Sequence, residues 1–90
     1  MQRDIPMLES KVQSSLIKKL EQEGYYVIKL SVTNKNGIPD ILAIPKDCSV
    51  EFYEVKQKGK KPRPLQDFRA KELKNHGVKV FLYDGERSEI

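Results

Sequence analysis

Three acidic residues of this 90-residue chain stand where packing alone would not place a charge. The first is Glu9, which projects between Leu16 and Leu20 when the N-terminal segment is drawn as a helix, inside its apolar stripe. A buried carboxylate is costly unless it has a partner, so a position inside the stripe would imply one. The alternative is an edge residue in the first helical turn, where the helix dipole favours an acid.

The second acidic residue is Asp40, which follows Gly37-Ile38-Pro39 and directly precedes the apolar segment Ile41-Leu42-Ala43-Ile44. Pro39 fixes its own φ and keeps the residue before it extended. The Asp40 carboxylate is therefore expected at the mouth of a strand with little backbone freedom. Pro-Asp is also a common turn dipeptide, which is the alternative explanation.

The third acidic residue is Glu54, in a segment that reads as a strand. Alternate side chains of a strand share a face, so Val50, Phe52, Glu54 and Lys56 point the same way. This face changes from apolar to charged halfway along the strand. The alternative is a Glu/Lys pair on the protein surface.

Taken together, Asp40 and Glu54 indicate a metal site. If the strands that carry them form a hairpin, Asp40 lies opposite the end that carries Glu54 and Lys56. Two carboxylates about 4 Å apart repel by roughly 4 kcal/mol at an effective dielectric constant of about 20. A divalent cation removes that repulsion, and hard oxygen ligands suit Mg²⁺ or Mn²⁺. Hydrolysis of a phosphodiester would then use the two acids as metal ligands, with Lys56 beside the attacking water and the phosphate.

The charge distribution indicates a polyanionic partner. The chain has a formal net charge of +4, and the segment KQKGKKPRP at residues 56–64 carries five basic residues and no acid. The rest of the chain has twelve basic and thirteen acidic residues. The whole basic excess is thus concentrated in one short segment, which favours local contact with a polyanion. The alternative is a solvated lysine loop.

Several other functions are excluded by composition. The single cysteine, Cys48, cannot form an intramolecular disulfide, and with the single histidine, His76, it cannot build a Cys/His zinc site. His76 is in a KNHG stretch that reads as the end of a helix, which makes a nucleophilic triad a poor candidate. The N-terminus has no apolar signal region, and no run approaches the roughly 18 apolar residues of a membrane span. We therefore expect an intracellular protein that does not contact membranes.

The elements that must position these residues follow from periodicity and turn chemistry. Length predicts a single domain over residues 1–90. The apolar pattern predicts helices at 8–23 and 65–76, each followed by glycine, and strands at 25–31, 41–44, 50–57 and 78–83. Asp84-Gly85 then opens a short polar tail. This order, α-β-β-β-α-β, predicts an α/β fold whose sheet is covered by helices on at least one face.

The motifs resemble those of one nuclease superfamily. Pro39-Asp40, thirteen intervening residues and then Glu54-Val55-Lys56 are similar to the PD-(D/E)XK signature. The resemblance extends to the VRR-NUC (virus-type replication-repair nuclease) branch, in its stand-alone phage or bacterial type. It covers residues 8–83 and includes the segment Gly37 to Ala43, Gln66-Asp67-Phe68, Gly77 to Val80, and an acid on the first helix, Glu9. It implies a restriction-endonuclease-like core, with a mixed central sheet flanked by helices.

The resemblance also implies a role for each site residue. Asp40, Glu54 and the backbone carbonyl of Val55 would ligate Mg²⁺ or Mn²⁺, and Glu9 would hold a metal-bound water or contact a second ion. Lys56 would orient the water or stabilise the phosphate, and Gln66 would add polar contacts. Gln66 has independent support because it shares a helical line with Ala70 and Leu73 and so faces the sheet, although a polar residue at a helix start is the alternative. Two further residues could face this site: Lys29 and Ser31.

The function implied is a metal-dependent, structure-selective DNA endonuclease that resolves four-way (Holliday) junctions as a homodimer. Its setting would be the cytoplasm of a bacterial cell or a phage-infected host. The basic segment would contact phosphates beside the cut through Lys58, Lys60, Lys61 and Arg63. Two alternatives stay open: a nickase or flap-type nuclease with the same site, and a non-catalytic nucleic-acid-binding protein on the same fold.

Overall fold

The computed structural model describes residues 8–47 and 49–90, so that Cys48 lies outside the described residues. Two helices and five strands follow one another along the chain. In order they are α1 (Glu9–Gln22), β1 (Tyr26–Lys29), β2 (Ile41–Ile44), β3 (Glu51–Val55), α2 (Pro64–Asn75), β4 (Lys79–Tyr83) and β5 (Arg87–Glu89). The predicted α-β-β-β-α-β order is confirmed, with one strand added at its end. Neither helix in this part of the chain is long and apolar enough to cross a membrane.

Helix α1 forms because its apolar residues recur every fourth position. Val12, Leu16 and Leu20 are buried against the sheet, and Gly24, with φ of +93°, follows the end of the helix. Leu8 is 62% exposed and serves as the N-cap residue rather than as part of the core. The buried stripe therefore starts one turn later than the spacing predicts.

The five strands form one mixed sheet in the order β1-β2-β3-β4-β5. The β1–β2, β2–β3 and β4–β5 pairs are antiparallel. The β3–β4 pair is parallel, because α2 carries the chain back to the starting edge of the sheet. β3 is thus the middle strand, bonded to a neighbour on each side. The mixed sheet flanked by helices that the family resemblance implies is confirmed.

Each face of the sheet is packed against a different helix. The α1 face carries the main core, which includes Ile41, Ala43, Tyr53 and Val55, all fully buried. The opposite face, here called the α2 face, carries Phe52, Glu54, Val80 and Leu82 by the alternation of the strands. Helix α2 packs on β4, where Ala70 and Val80 are both buried. Glu54 therefore faces α2, away from the main core.

Strand β5 lies in the segment that the sequence predicts to be a polar tail. All three of its residues are exposed, so no apolar alternation marks it. Instead, the backbone pairs with β4, and Arg87 packs over the Phe81 ring at 4.8 Å and donates a hydrogen bond to the Tyr53 hydroxyl at 3.1 Å. The Tyr53 hydroxyl in turn donates to the buried Glu51 carboxylate at 2.8 Å. Arg87, held by the Phe81 ring and the Tyr53 hydroxyl, thus stabilises a strand that periodicity misses.

Candidate active site

The candidate site lies where β2 begins and β3 ends. Ile41 of β2 pairs with Tyr53 of β3, so the adjoining residues Asp40 and Glu54 lie side by side. Two backbone hydrogen bonds fix Asp40 in the sheet: its N–H donates to the Tyr53 carbonyl at 3.0 Å, and its carbonyl accepts from the Leu30 N–H at 2.8 Å. Pro39 before it is fully buried. The hairpin thus brings Asp40 and Glu54 together.

The Asp40 side chain is bound to the neighbouring strand as well. Its Oδ2 accepts a hydrogen bond from the Val55 N–H at 2.9 Å. Because a carboxylate that accepts from a backbone amide has few rotamers left, Asp40 is held in one orientation at the end of β3. The geometry is therefore preset by the backbone of Val55, whose carbonyl the family resemblance implies as a ligand.

Glu54 is a buried acid with only part of its hydrogen-bonding capacity used. The residue is 2% exposed. Its Oε2 accepts a hydrogen bond from Gln66 Nε2 at 2.9 Å and lies 3.8 Å from Lys56 Nζ. Its Oε1 is buried and has no hydrogen-bond partner within residues 8–47 and 49–90. A buried unpaired acceptor is costly, and a bound cation or a proton would remove the cost.

The protonation of Glu54 reflects this environment. Burial, and next the negative charge of Asp40, raise the pKa of Glu54 to about 8, while the positive charge of Lys56 acts in the opposite direction. Glu9 adds a smaller effect of the same sign as Asp40. The raised pKa therefore favours the protonated form of Glu54 in the absence of a cation. A buried acid whose pKa is raised beside a second carboxylate is typical of functional sites.

Gln66 connects this acid to the start of α2. While its Nε2 donates to Glu54, its Oε1 accepts the Arg63 N–H at 2.8 Å, which caps the first turn of the helix. Pro64 occupies the first helical position, where its missing N–H costs nothing, so α2 begins one residue earlier than predicted. Both ends of the Gln66 amide are used. The side chain is therefore placed to orient Glu54.

Lys56 and Glu9 flank the carboxylate pair from different elements. Lys56 is buried just beyond β3, and its N–H donates to the Tyr83 carbonyl at 3.0 Å. Glu9 is the first residue of α1 and is half-buried. One turn later, the Oε1 of Gln13 is buried without a hydrogen-bond partner among the described residues. Gln13 was not among the site residues predicted from the sequence, although its spacing of four from Glu9 places the two residues on one side of α1.

The remaining predicted residues lie around this centre rather than in it. Lys29 of β1 pairs with Ile41 of β2, and this register puts the Lys29 side chain on the α1 face, opposite to Glu54. Ser31 follows β1 and lines, with Asp40, an open cavity of about 340 Å³ formed mainly by the loop between β1 and β2. The four basic residues of the connection between β3 and α2 are all exposed: Lys58, Lys60, Lys61 and Arg63. The structure thus brings Ser31 to the rim and leaves Lys29 outside.

The donor set fits a hard cation that takes few protein ligands. Within the described residues, no three Asp, Glu, His or Cys side chains are grouped closely enough to hold a metal by themselves. Asp40 and the unpaired Oε1 of Glu54 nevertheless offer oxygens of two adjoining carboxyl groups. Mg²⁺ usually keeps several waters and needs only one or two carboxylates. The residues present therefore suit a partly hydrated Mg²⁺ or Mn²⁺ ion better than zinc, which prefers nitrogen and sulfur ligands.

Comparison with known proteins places this chain beside a solved structure of similar fold. The chain is similar to a solved structure described as "VRR_NUC domain", with 33% sequence identity and a TM-score of 0.75. The alignment covers 82% of this chain and 81% of that one. No family model matches the sequence. No curated protein matches it either.

Proposed function

This chain belongs to the VRR-NUC family of nucleases, and we propose that it is a Mg²⁺- or Mn²⁺-dependent endonuclease that hydrolyses phosphodiester bonds in branched DNA. One observation carries the proposal above the others. Glu54 is buried beside Asp40 with an unpaired oxygen, and Lys56 lies 3.8 Å from its other oxygen. A site with no function would be more stable with an apolar residue at position 54.

In this proposal Asp40, Glu54 and the carbonyl of Val55 would hold the metal, and Glu9 would act through a water or at a second ion. The bound ion would act as a Lewis acid on the scissile phosphate and lower the pKa of a water. The contribution of the protein is to hold the two carboxylates in fixed positions. Asp40 is fixed by the Val55 amide and Glu54 by Gln66, so neither carboxylate has to reorganise on binding.

Lys56 has a separate role in the same scheme. Its ammonium group is held beside Glu54, where it can hold the attacking water or balance charge that develops on the phosphate. The backbone N–H of Lys56 is hydrogen-bonded to β4, so the side chain that carries the ammonium group extends from a fixed backbone position. Gln66 acts as a positioning residue, since both ends of its amide are engaged within the protein.

DNA binding is assigned to the basic connection that follows Lys56. Lys58, Lys60, Lys61 and Arg63 are exposed, and none forms an ion pair within the described part of the chain. Their charges are therefore free to neutralise phosphates near the site. These basic residues lie on a connection rather than on a helix or strand that could enter a DNA groove. We therefore expect recognition of the DNA phosphate backbone and of DNA shape.

The substrate that we propose is a four-way junction, cut by a homodimer. Residues 1–90 act as a single domain with one site, and one site cuts one strand. A two-fold dimer would present two sites to a two-fold substrate. The biological setting we propose is DNA recombination or repair in the cytoplasm of a bacterial cell or a phage-infected host.

The test is cleavage of labelled four-way junction, flap, nicked and plain duplex DNA in Mg²⁺, Mn²⁺ or EDTA. We expect paired, metal-dependent nicks on the junction and little cleavage of plain duplex. Cleavage of flap or nicked DNA in preference to the junction would replace the resolvase by a flap-type nuclease or nickase. Salt-sensitive binding with no cleavage in either metal would indicate the non-catalytic alternative.

A further inference from the structure

The α2 face of the sheet is only half covered by its helix. Helix α2 packs on β4, and Gln66 reaches β3. The strand register places five apolar side chains on this same face: Tyr26, Ile28, Leu42, Ile44 and Phe52. Tyr26 lies opposite Ile44, and Leu42 lies between Ile28 and Phe52. We call these five residues the bare face. Within residues 8–47 and 49–90, helix α2 packs mainly on β4, and helix α1 packs on β1, β2 and β3 from the other face.

The bare face is exposed to an unusual degree for apolar residues in a sheet. Tyr26 is 70% and Ile28 39% exposed, whereas Leu42, Ile44 and Phe52 are partly buried by their neighbours. Together they expose on the order of 300 Å² of apolar surface, a size at which a patch on a small protein is often an interaction site. Two of the five are aromatic, the class of residue most enriched at interfaces.

We infer that the bare face is the surface through which two copies of this chain pack about a two-fold axis. This inference rests on the proposed function, to which it adds the dimer surface. None of the five side chains is charged, so a patch packed against itself brings no like charges together. A contact with phosphate, or with an acidic or basic peptide, would need charges that the patch lacks.

The area fits this partner. A standard interface buries about 800 Å² on each side, with an apolar centre and a polar rim. The bare face supplies a centre of the right size, and the residues around it would supply the rim. On the opposite edge of the sheet, β5 exposes Arg87, Ser88 and Glu89, a charged edge that offers no comparable centre.

The bare face is also continuous with the candidate active site. Asp40 and Leu42 lie on one side of β2, and Phe52 and Glu54 lie on one side of β3. Leu42 is two residues from Asp40, about 7 Å along the chain. A copy docked here therefore stands next to the site of its partner. Dimerisation would fix the separation of two cleavage sites, as paired cuts in a two-fold substrate require.

The oligomeric state tests the inference without any need for activity. Sedimentation of the whole chain at about 1–100 μM should show a dimer. The double variant Tyr26→Glu/Ile28→Glu should weaken the dimer at least about 100-fold, because two interface anchors become like charges that face each other. The control is Val32→Glu, which places a charge on a side chain that is 94% exposed but lies in the loop, and it should remain dimeric.

A second double variant of opposite charge distinguishes loss of the interface from misfolding. Tyr26→Lys/Ile28→Lys should also be monomeric, and an equimolar mixture of the two double variants should form a heterodimer. A monomeric wild-type chain at 100 μM, or double variants that remain dimers, would overturn the inference. A monomeric wild type whose single-stranded DNA binding is lost in both double variants would instead assign the bare face to stacking on bases.

The failure of the inference is distinguishable from failure of the proposed function. A monomeric double variant that still nicks flap DNA but no longer makes paired cuts in a junction would support both. Dimers that show no metal-dependent cleavage of any DNA would contradict the nuclease function and leave the dimer surface confirmed.

Discussion

Gln66 Nε2 donates a hydrogen bond to Glu54 Oε2 across 2.9 Å, from the first turn of α2 to the end of β3. The other end of the same amide accepts the Arg63 N–H at 2.8 Å. A single side chain therefore caps a helix and selects which oxygen of Glu54 is left unpaired. With Glu54 as the metal ligand that we propose, the residue that orients it is expected to affect metal affinity or activity by about 10–100-fold.

The first prediction concerns this amide. Gln66→Ala should lower kcat by about 10–100-fold and weaken Mg²⁺ binding, because Glu54 is no longer held. DNA binding measured without metal should stay within about twofold of wild type. The matched control is Asp67→Ala, which removes an exposed neighbour on the same helix and should cleave normally. Normal Mg²⁺ affinity and kcat in Gln66→Ala would show that the contact has no effect on the site.

The second prediction concerns Asp40. Asp40→Asn should abolish cleavage and retain or tighten DNA binding, because the change removes a negative charge near phosphate while keeping the shape of the side chain. Cleavage assays and binding titrations on the same junction would measure both effects. Wild-type cleavage by the variant would refute the assignment of Asp40 as a metal ligand.

The third prediction follows from the raised pKa of Glu54, about 8 against an ordinary value of 4.5. Because the folded chain holds this proton more tightly than the unfolded chain, the contribution of Glu54 to stability is complete below about pH 4.5. It is lost as the pH rises towards 8. In EDTA, Glu54→Gln should therefore gain stability relative to wild type between these values. Equilibrium urea unfolding at several pH values would measure the difference.

The same proton gives a signature in metal binding. A cation must displace it, so Mg²⁺ affinity should rise with pH up to about 8 and binding should release a proton below that value. Calorimetry in buffers of different ionisation enthalpy would count the protons. An affinity that does not change between pH 6 and 8 would contradict metal binding at Glu54.

The fourth prediction concerns the basic connection. Replacing Lys58, Lys60 and Lys61 by Ala should weaken DNA binding and reduce the slope of log K against log salt by about 2–3, because up to three phosphate contacts are lost. Three other exposed lysines on α1, α2 and β4 provide the control triple variant: Lys18, Lys71 and Lys79. Equal salt slopes in the two triple variants would assign the connection to a solvated loop.

The fifth prediction concerns the strand that periodicity misses. Arg87→Ala should lower the free energy of unfolding by about 1–2 kcal/mol, since it removes the hydrogen bond to Tyr53 and the contact with Phe81. Glu89→Ala, on the same exposed strand, should change it by less than about 0.5 kcal/mol. Thermal or urea unfolding of both variants would provide the comparison. Equal stabilities would mean that Arg87 does not anchor β5.

The elements with strong periodicity could be predicted from the sequence, and so could the meeting of Asp40 with Glu54. That meeting follows from a hairpin register, in which residues adjoining a paired position must also be adjacent. Strand β5 could not be predicted, because its stability comes from the contact of Arg87 with the Phe81 ring and from its hydrogen bond to Tyr53, which is distant in the chain. The two hydrogen bonds of the Gln66 amide, to Arg63 and Glu54, could not be predicted from the sequence either, since they depend on where α2 lies over the sheet.

Because β3 is the middle strand of the sheet, the candidate site should persist until the whole fold is lost. Asp40 and Glu54 are joined through the β2–β3 ladder, and Lys56 is joined to β4, so they can separate only if an interior strand loses its partners. Openings of that kind approach the free energy of global unfolding. The amides of Asp40, Val55 and Lys56 should accordingly be among the slowest to exchange with solvent deuterium. Heating should abolish cleavage in a single step with the fold, with no earlier stage at which a folded chain has lost its site.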